Sequence, residues 1–203
     1  VLLDPVLPVL KVDSKLPFCN SEEVDIYNNK HNLQLWELAL KYETARSGFS
    51  EEKLFDMMLN LVTIMKNAIE LGIKGTSYKD RILPAQAPHF QKKKKANNLL
   101  NSPLPNEIIL SVTAFMEVKS SMGIIVAAPT AGSCGALPGA VIGTARFIGY
   151  DDEAIAKALF SAGMIGVFIA KGATFSAEEA GCMAECGSAA GMAAAALTTL
   201  TGG

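Results

Sequence analysis

At 203 residues the chain is long enough for one sizeable domain; half of its residues are hydrophobic and 19% are charged, a core-rich soluble composition rather than a disordered one. A formal net charge of -2 gives no basis for binding nucleic acid or an anionic membrane, and the one basic run, Lys92 to Lys95, reads as a solvated loop or helix end. Four cysteines do not make a secreted disulfide scaffold; they fit a reducing, cytoplasmic compartment and metal chemistry better.

The chain begins at Val1, and its first residues are no signal peptide, because Asp4, Pro5 and Pro8 interrupt the apolar stretch and no basic region precedes it. Residues 1–30 are a mixed polar, proline-containing lead, weakly structured by pattern, and residues 1–49 are left unassigned as a lead. Within it, 31–47 has the spacing of a helix, with Leu33, Trp36 and Leu40 on one side. Residues 50–203 read as one helical domain. Ser50 is a plausible N-cap, with Glu51 and Glu52 in the first turn where the helix dipole favours acids. Leu54, Met57, Met58, Leu61, Ile64, Met65, Ala68 and Leu71 follow the helical period, and Gly72 is the expected stop. The methionines read as core filling. Residues 73–106 hold Gly75, Pro84, Pro88, Pro103 and Pro105 and read as a flexible hinge. Asn106 is then the expected cap of a helix carrying Ile108, Ile109, Val112, Phe115 and Met116.

From Gly123 onward the composition turns to Ala and Gly, and only Arg146, Lys157 and Lys171 of the basic residues remain. The pattern predicts helices over about 136–148, 152–170 and 179–200, with Gly149 and Gly172 as stops. Ile124, Ile125 and Val126 are the only strand-like group, and the fold class expected is all-α. The uncharged stretch from Cys186 to Gly203 raises a membrane question by length. Only Met192, Leu197 and Leu200 are large and apolar there, which favours close helix packing inside a protein. The closing Gly202 and Gly203 look like a helix stop and turn, so the sequence reads as cut at both ends.

Two segments carry candidate chemistry. Ala128-Pro129-Thr130-Ala131-Gly132-Ser133-Cys134-Gly135 sets glycines and hydroxyls before a helical pattern. Free N–H groups at a helix start suit a carboxylate, though a tight structural loop has the same composition. In Gly181-Cys182-Met183-Ala184-Glu185-Cys186 the two cysteines are four apart and share a helix face. By spacing they read first as two small buried residues in a tightly packed helix, and second as thiolate ligands, too few for a closed site. Glu178, Glu179 and Glu185 read as surface and helix-start charges. His31 and His89 sit in polar surroundings; either has the chemistry of a general base, and both read more simply as exposed.

Taken together, residues 127–139 and 181–196 closely resemble two fingerprints of the α chain of bacterial iron–sulfur-dependent L-serine dehydratase, in the same order and separation. The resemblance is strong over 119–203 and weaker over about 50–118. It implies an all-helical catalytic domain with a [4Fe–4S] cluster, Cys182 as a ligand, and Thr130, Ala131, Gly132 and Ser133 in the pocket that holds the amino acid. The family's other ligand cysteines lie in a later segment absent here. Met183 replaces a common Gln, and Cys186 stands where an apolar residue is expected. Thr76 to Arg81 occupies the place of the family's glycine-rich serine motif, which makes Ser77 a further substrate-contact candidate.

The implied reaction is deamination of L-serine to pyruvate and ammonia. A cluster iron acts as Lewis acid on the β-hydroxyl, and a base that the sequence does not identify takes the α-proton. A β chain or domain and self-association are the partners the resemblance suggests, with no membrane and no nucleic acid. Two other readings compete: a non-catalytic helical fragment or subunit lacking the cluster, and a pyridoxal-phosphate dehydratase with Lys171 as its Schiff-base lysine. By itself the chain is expected to be inactive.

Overall fold

A computed structural model describes residues 15–203. Among them are nine helices and no strand: α1 (Ser21–His31), α2 (Leu35–Ser47), α3 (Glu51–Lys74), α4 (Gln86–Lys95), α5 (Pro103–Ser120), α6 (Ala136–Ile148), α7 (Asp152–Gly172), α8 (Ala177–Ala180) and α9 (Cys182–Leu200). The all-α expectation holds. Asp4, Pro5 and Pro8, read above as interrupting the apolar stretch, lie outside the described residues.

The described part of the lead, residues 15–49, is more ordered than its composition suggests. Asn20 caps α1 by accepting from the Glu23 N–H, and Phe18 is buried with edge-on Tyr27 and stacked Tyr42 around it. Leu38, Ala39 and Leu40 of α2 join Leu54, Phe160 and Met164 in an apolar cluster between α2, α3 and α7. Local polarity hid α1 because its helix is held by one anchoring aromatic and two caps rather than by an apolar stripe.

Ser50 does cap α3, its hydroxyl accepting from the Lys53 N–H at 3.2 Å. Gly72 does not stop that helix, which runs on to Lys74 and is capped at Gly75, φ +108. Gly72 is instead a point of contact: a Cβ there would come within 2.7 Å of Ala114 Cα on α5. The glycine serves close helix packing, not termination. The segment 73–106 holds α4, whose Ala87 is fully buried against the main core. Asn106 is not a cap. Helix α5 begins earlier, with Ser102 in the cap position and Pro103 at the first turn, and Asn106 donates its side chain to the Leu100 carbonyl at 2.9 Å.

The core runs through α3, α5, α6, α7 and α9. The α5–α6 contact explains the glycine content. Gly135, Gly139 and Gly143, spaced by four, lie on one face of the chain entering and forming α6. A Cβ on them would press on Met116 Cγ at 2.6 Å, Val112 Cα at 2.7 Å and Ile108 Cα at 2.9 Å, in reverse order along α5. Two antiparallel backbones therefore approach as closely as side-chain-free positions allow. Helix α7, capped by Asp151, and α9 are pinned by a Thr199 hydroxyl to Ser161 hydroxyl bond at 2.9 Å. Among the described residues α7 is the one helix long and apolar enough to cross a membrane, and half of its most apolar window is buried within the protein. Gly149 caps α6 with φ +93, as its position predicts. The helix expected over 179–200 is divided: Gly181, φ +79, separates the single turn α8 from α9.

Candidate functional site

Helix α5 ends on a left-handed Met122 (φ +59), with the Gly123 N–H returning to the Val118 carbonyl at 2.9 Å. Residues 124–127 then lead, without regular secondary structure, to the loop that precedes α6. This loop is closed by its own hydroxyls. Thr130 Oγ1 lies 3.1 Å from Ser133 Oγ and also accepts from the Ser133 N–H at 3.3 Å. Ser133 and Cys134 are buried, while Ala131 and Gly132 are exposed. Of the four residues expected to hold substrate, Thr130 and Ser133 shape the loop and Ala131 and Gly132 present its surface.

The start of α6 offers fewer free donors than its composition suggests. The Ala136 N–H is bonded to the Ser133 carbonyl at 3.0 Å, Pro138 has none, and the Gly139 N–H returns to the Gly135 carbonyl at 2.9 Å. The generic anion site of a helix N-terminus is thus partly consumed here.

What the loop faces is the first turn of α9. A Cβ on Gly132 would lie 2.7 Å from Glu185 Oε1 and 2.8 Å from its Cδ. The two fingerprint segments, some fifty residues apart, meet at this point. Cys182, Glu185 and Cys186 stand three and four residues apart at the start of α9, on one face of the helix. Glu185 is half-buried, and among the described residues it joins no ion pair and no hydrogen bond. By sequence alone it reads as a helix-start charge. No local pattern marks it, because what singles it out is its distance to Gly132.

The cysteines separate by environment. Cys182 and Cys186 are exposed, whereas Cys134 is buried with its Sγ 3.8 Å from Met116 Sδ. Burial pushes the Cys134 thiol above its ordinary value, and the Lys119 ammonium draws it back only in part. Cys19 lies half-buried at the other side of α7, beside Phe168 and Lys171. Cys182 presents an exposed thiol of the kind that ligates an iron–sulfur cluster. The described residues do not complete a ligand set, since they contain no group of three or more His, Cys, Asp or Glu placed to hold a metal.

The remaining candidates lie apart. Ser77 is exposed on the loop after α3, and no hydrogen bond joins it to residues 130–133. That loop is organised by Arg81, which donates to the Thr76 carbonyl at 2.7 Å and lies over the Tyr78 ring. Beneath it the buried Glu117 carboxylate accepts from the Gln86 and Ala87 N–H groups at the start of α4. His31 stacks on Tyr27 and is bonded through Nδ1 to the Tyr27 carbonyl at 2.8 Å, with Nδ1 assigned the proton. His89 is exposed on α4, and Lys171 is exposed at the end of α7. An apolar groove of about 250 Å³ between α2, α3 and α7, lined by Leu54, Met57, Phe160 and Met164, contains none of the fingerprint residues.

The chain belongs to the serine dehydratase alpha chain family, whose model matches residues 30–203. It is 30% identical over 186 residues to a probable L-serine dehydratase alpha chain of Bacillus subtilis (strain 168), covering 92% of this chain and 62% of that one. It is 31% identical over 188 residues to the L-serine dehydratase alpha chain of Peptoniphilus asaccharolyticus, covering 90% and 62%. To an L-serine dehydratase of Haemophilus influenzae it is 32% identical over 193 residues, covering 92% and 42%. The chain thus spans less than two thirds of the length of these relatives.

Proposed function

We propose that this chain carries the substrate-holding part of an L-serine dehydratase. The reaction removes the α-proton and the β-hydroxyl of L-serine as water. The enamine left behind isomerises to an imine, and hydrolysis of the imine returns the water and gives pyruvate and ammonia. The observation that carries this reading is the meeting of Gly132 with Glu185, which joins the chain's two fingerprint segments at one place. The relatives' names support the substrate and the lyase chemistry.

The cofactor of this reading is a [4Fe–4S] cluster with Cys182 as one thiolate ligand. When bound, such a cluster supplies a Lewis acid for the departing hydroxyl. The chain's own residues do the rest of the holding. Ala131 and Gly132 offer a backbone surface without bulk, and the Thr130–Ser133 hydroxyl pair keeps that surface in shape. The family and the helical fold do not favour a pyridoxal-phosphate enzyme, and Lys171 stands in solvent rather than in an enclosed pocket. A β chain or domain as partner, self-association and a cytoplasmic setting belong to the same proposal.

The test is anaerobic reconstitution of the full-length protein with iron and sulfide, followed by a pyruvate assay with L-serine. Turnover is expected, together with loss of iron in Cys182→Ser. Cys182→Ser protein that keeps full iron content and activity would remove Cys182 from the ligand set. A reconstituted wild-type enzyme that is inert toward L-serine would overturn the functional reading.

A further inference from the structure

Glu185 is the one acid in the neighbourhood of the loop that the fold leaves without a partner. Its carboxylate is half-buried against the Gly132 backbone, and it joins no ion pair or hydrogen bond among the described residues. Other acids of the protein are used: Glu117 holds the start of α4, Glu107 pairs with Lys94, Glu70 with Arg146 and Asp152 with Lys66. A carboxylate withdrawn partly from water and left unpaired costs free energy that a cationic ligand would recover. The absence of a side chain at Gly132 is what lets the carboxylate lie over the loop, so the sequence spends a glycine on keeping that acid there.

We propose that Glu185 recognises the α-ammonium group of the amino-acid substrate, at the place where its carboxylate lies on the exposed Ala131–Gly132 backbone. An ammonium has three donors and needs acceptors that converge from different directions. The carboxylate supplies the charged one, and backbone carbonyls of a loop without side-chain bulk are the natural complement. A metal ion is a poorer match, because no group of three candidate ligands gathers among the described residues. The assignment rests on the dehydratase reading, since it presumes an amino acid in this site. It makes Glu185 a specificity residue: it separates L-serine from hydroxy acids that carry the same carboxylate and hydroxyl but no amine.

The experiment uses reconstituted full-length enzyme, wild type and Glu185→Gln, with steady-state kinetics on L-serine and inhibition by 3-hydroxypropionate, which is serine without its amino group. Calorimetric titration with L-serine gives a binding readout independent of turnover. In Glu185→Gln the KM and the calorimetric Kd for L-serine are expected to rise about tenfold, the scale of one charge-assisted hydrogen bond. The kcat should change far less, and the inhibition constant of 3-hydroxypropionate should hold or fall. Glu185→Asp, which keeps the charge, should recover part of the affinity and guards against a misfolded Gln variant. Unchanged L-serine affinity would overturn the proposal. So would a collapse of kcat at constant KM, which marks proton transfer or metal ligation, or a parallel rise of both constants, which marks a general loss of site structure. Wild-type enzyme that neither binds nor turns over L-serine would instead refute the underlying dehydratase reading.

Discussion

Gly132 lies beneath the carboxylate of Glu185, so close that even a methyl group on the glycine would sit 2.7 Å from Oε1. This contact is what turns two separated stretches of sequence into one place in the molecule. It rests on deeper packing: α6 is held to α5 by Gly135, Gly139 and Gly143, which fixes where the preceding loop emerges. The α7–α9 contact, with the Thr199–Ser161 bond in it, fixes the helix that carries Glu185.

Gly132→Ala should therefore alter the site without much effect on the fold. The atoms in the way are the end of a flexible side chain, and Gly132 is exposed with no left-handed backbone requirement. Stability should change by less than about 1 kcal/mol. The displaced Glu185 carboxylate should raise the KM of the full-length enzyme for L-serine, and a bulkier residue at 132 should raise it further. Urea denaturation together with steady-state kinetics tests both halves, and unchanged kinetics with Gly132→Val would break the link between the loop and the substrate.

The α5–α6 contact predicts the opposite outcome at Gly139. Its missing Cβ would meet Val112 Cα and N, each at 2.7 Å, and backbone cannot step aside as a side-chain end can. Gly139→Ala should cost about 3 kcal/mol or more in a denaturation experiment, since the helices must separate. Gly163 is the control. It lies in the interior of α7 with nothing within 4 Å of its missing Cβ, so Gly163→Ala should stabilise by about 0.5–1 kcal/mol through helix propensity.

Much of this architecture is legible in the sequence wherever an element declares its own ends. Ser50 and Gly149 behave as the cap and the stop that their residue types promise, and α6 spans the residues its pattern predicts. Errors arise where a residue type has two uses. Gly72 looks like a stop and serves a contact with Ala114; Asn106 looks like a cap and instead ties down the preceding turn. A short helix such as α4 escapes notice because what holds it is buried Ala87, half-buried Phe90, the distant Glu117 carboxylate and the Lys94–Glu107 pair, a set that leaves no local pattern. Glu185 was illegible for the same reason. Its significance is a distance to residue 132, and no periodicity reports a tertiary distance.

Glu117 gives the third test. It is buried on α5 and accepts from two N–H groups at the α4 N-terminus, with Arg81 Nη2 3.7 Å from its other oxygen. Charge-assisted bonds to a helix start are worth about 1.5–3 kcal/mol each, and removal would leave buried donors and a guanidinium uncompensated. Glu117→Ala should lower stability by about 3 kcal/mol. Hydrogen exchange should localise the loss, with faster exchange in α4 and the loop through 76–85 than in α7. Uniform acceleration throughout the chain would show that α4 is not the element Glu117 holds.

The ligand inventory of the described residues predicts how this 203-residue chain behaves alone. Among the described residues Cys182 and Cys186 are the only exposed thiols, and no third ligand gathers with them. A [4Fe–4S] cluster is ordinarily tied by thiolates on most of its irons. Anaerobic reconstitution of the isolated chain should leave little bound iron after desalting and no serine turnover. A cluster at full occupancy with pyruvate production would show the residues present to be sufficient.

The thiols themselves provide the last prediction. Cys182 and Cys186 are exposed, while Cys134 is buried and its thiol is pushed upward by burial. Only the thiolate is alkylated quickly, so iodoacetamide at neutral pH should label Cys182 and Cys186 first and leave Cys134 unmodified until the protein unfolds. Peptide mass spectrometry after timed quenching reads this directly. The same raised value carries a pH dependence of fixed sign. A folded-state value above the unfolded one contributes stability that is fully present below the unfolded thiol's value of about 8.5 and is lost as pH rises toward the folded value. The melting temperature of the wild-type chain should therefore fall more steeply above about pH 8.5 than that of Cys134→Ala, which has no thiol to ionise at that position. Parallel alkaline slopes for the two proteins, or early alkylation of Cys134, would show that the thiol is not closed off beneath the loop as Met116 and the start of α6 place it.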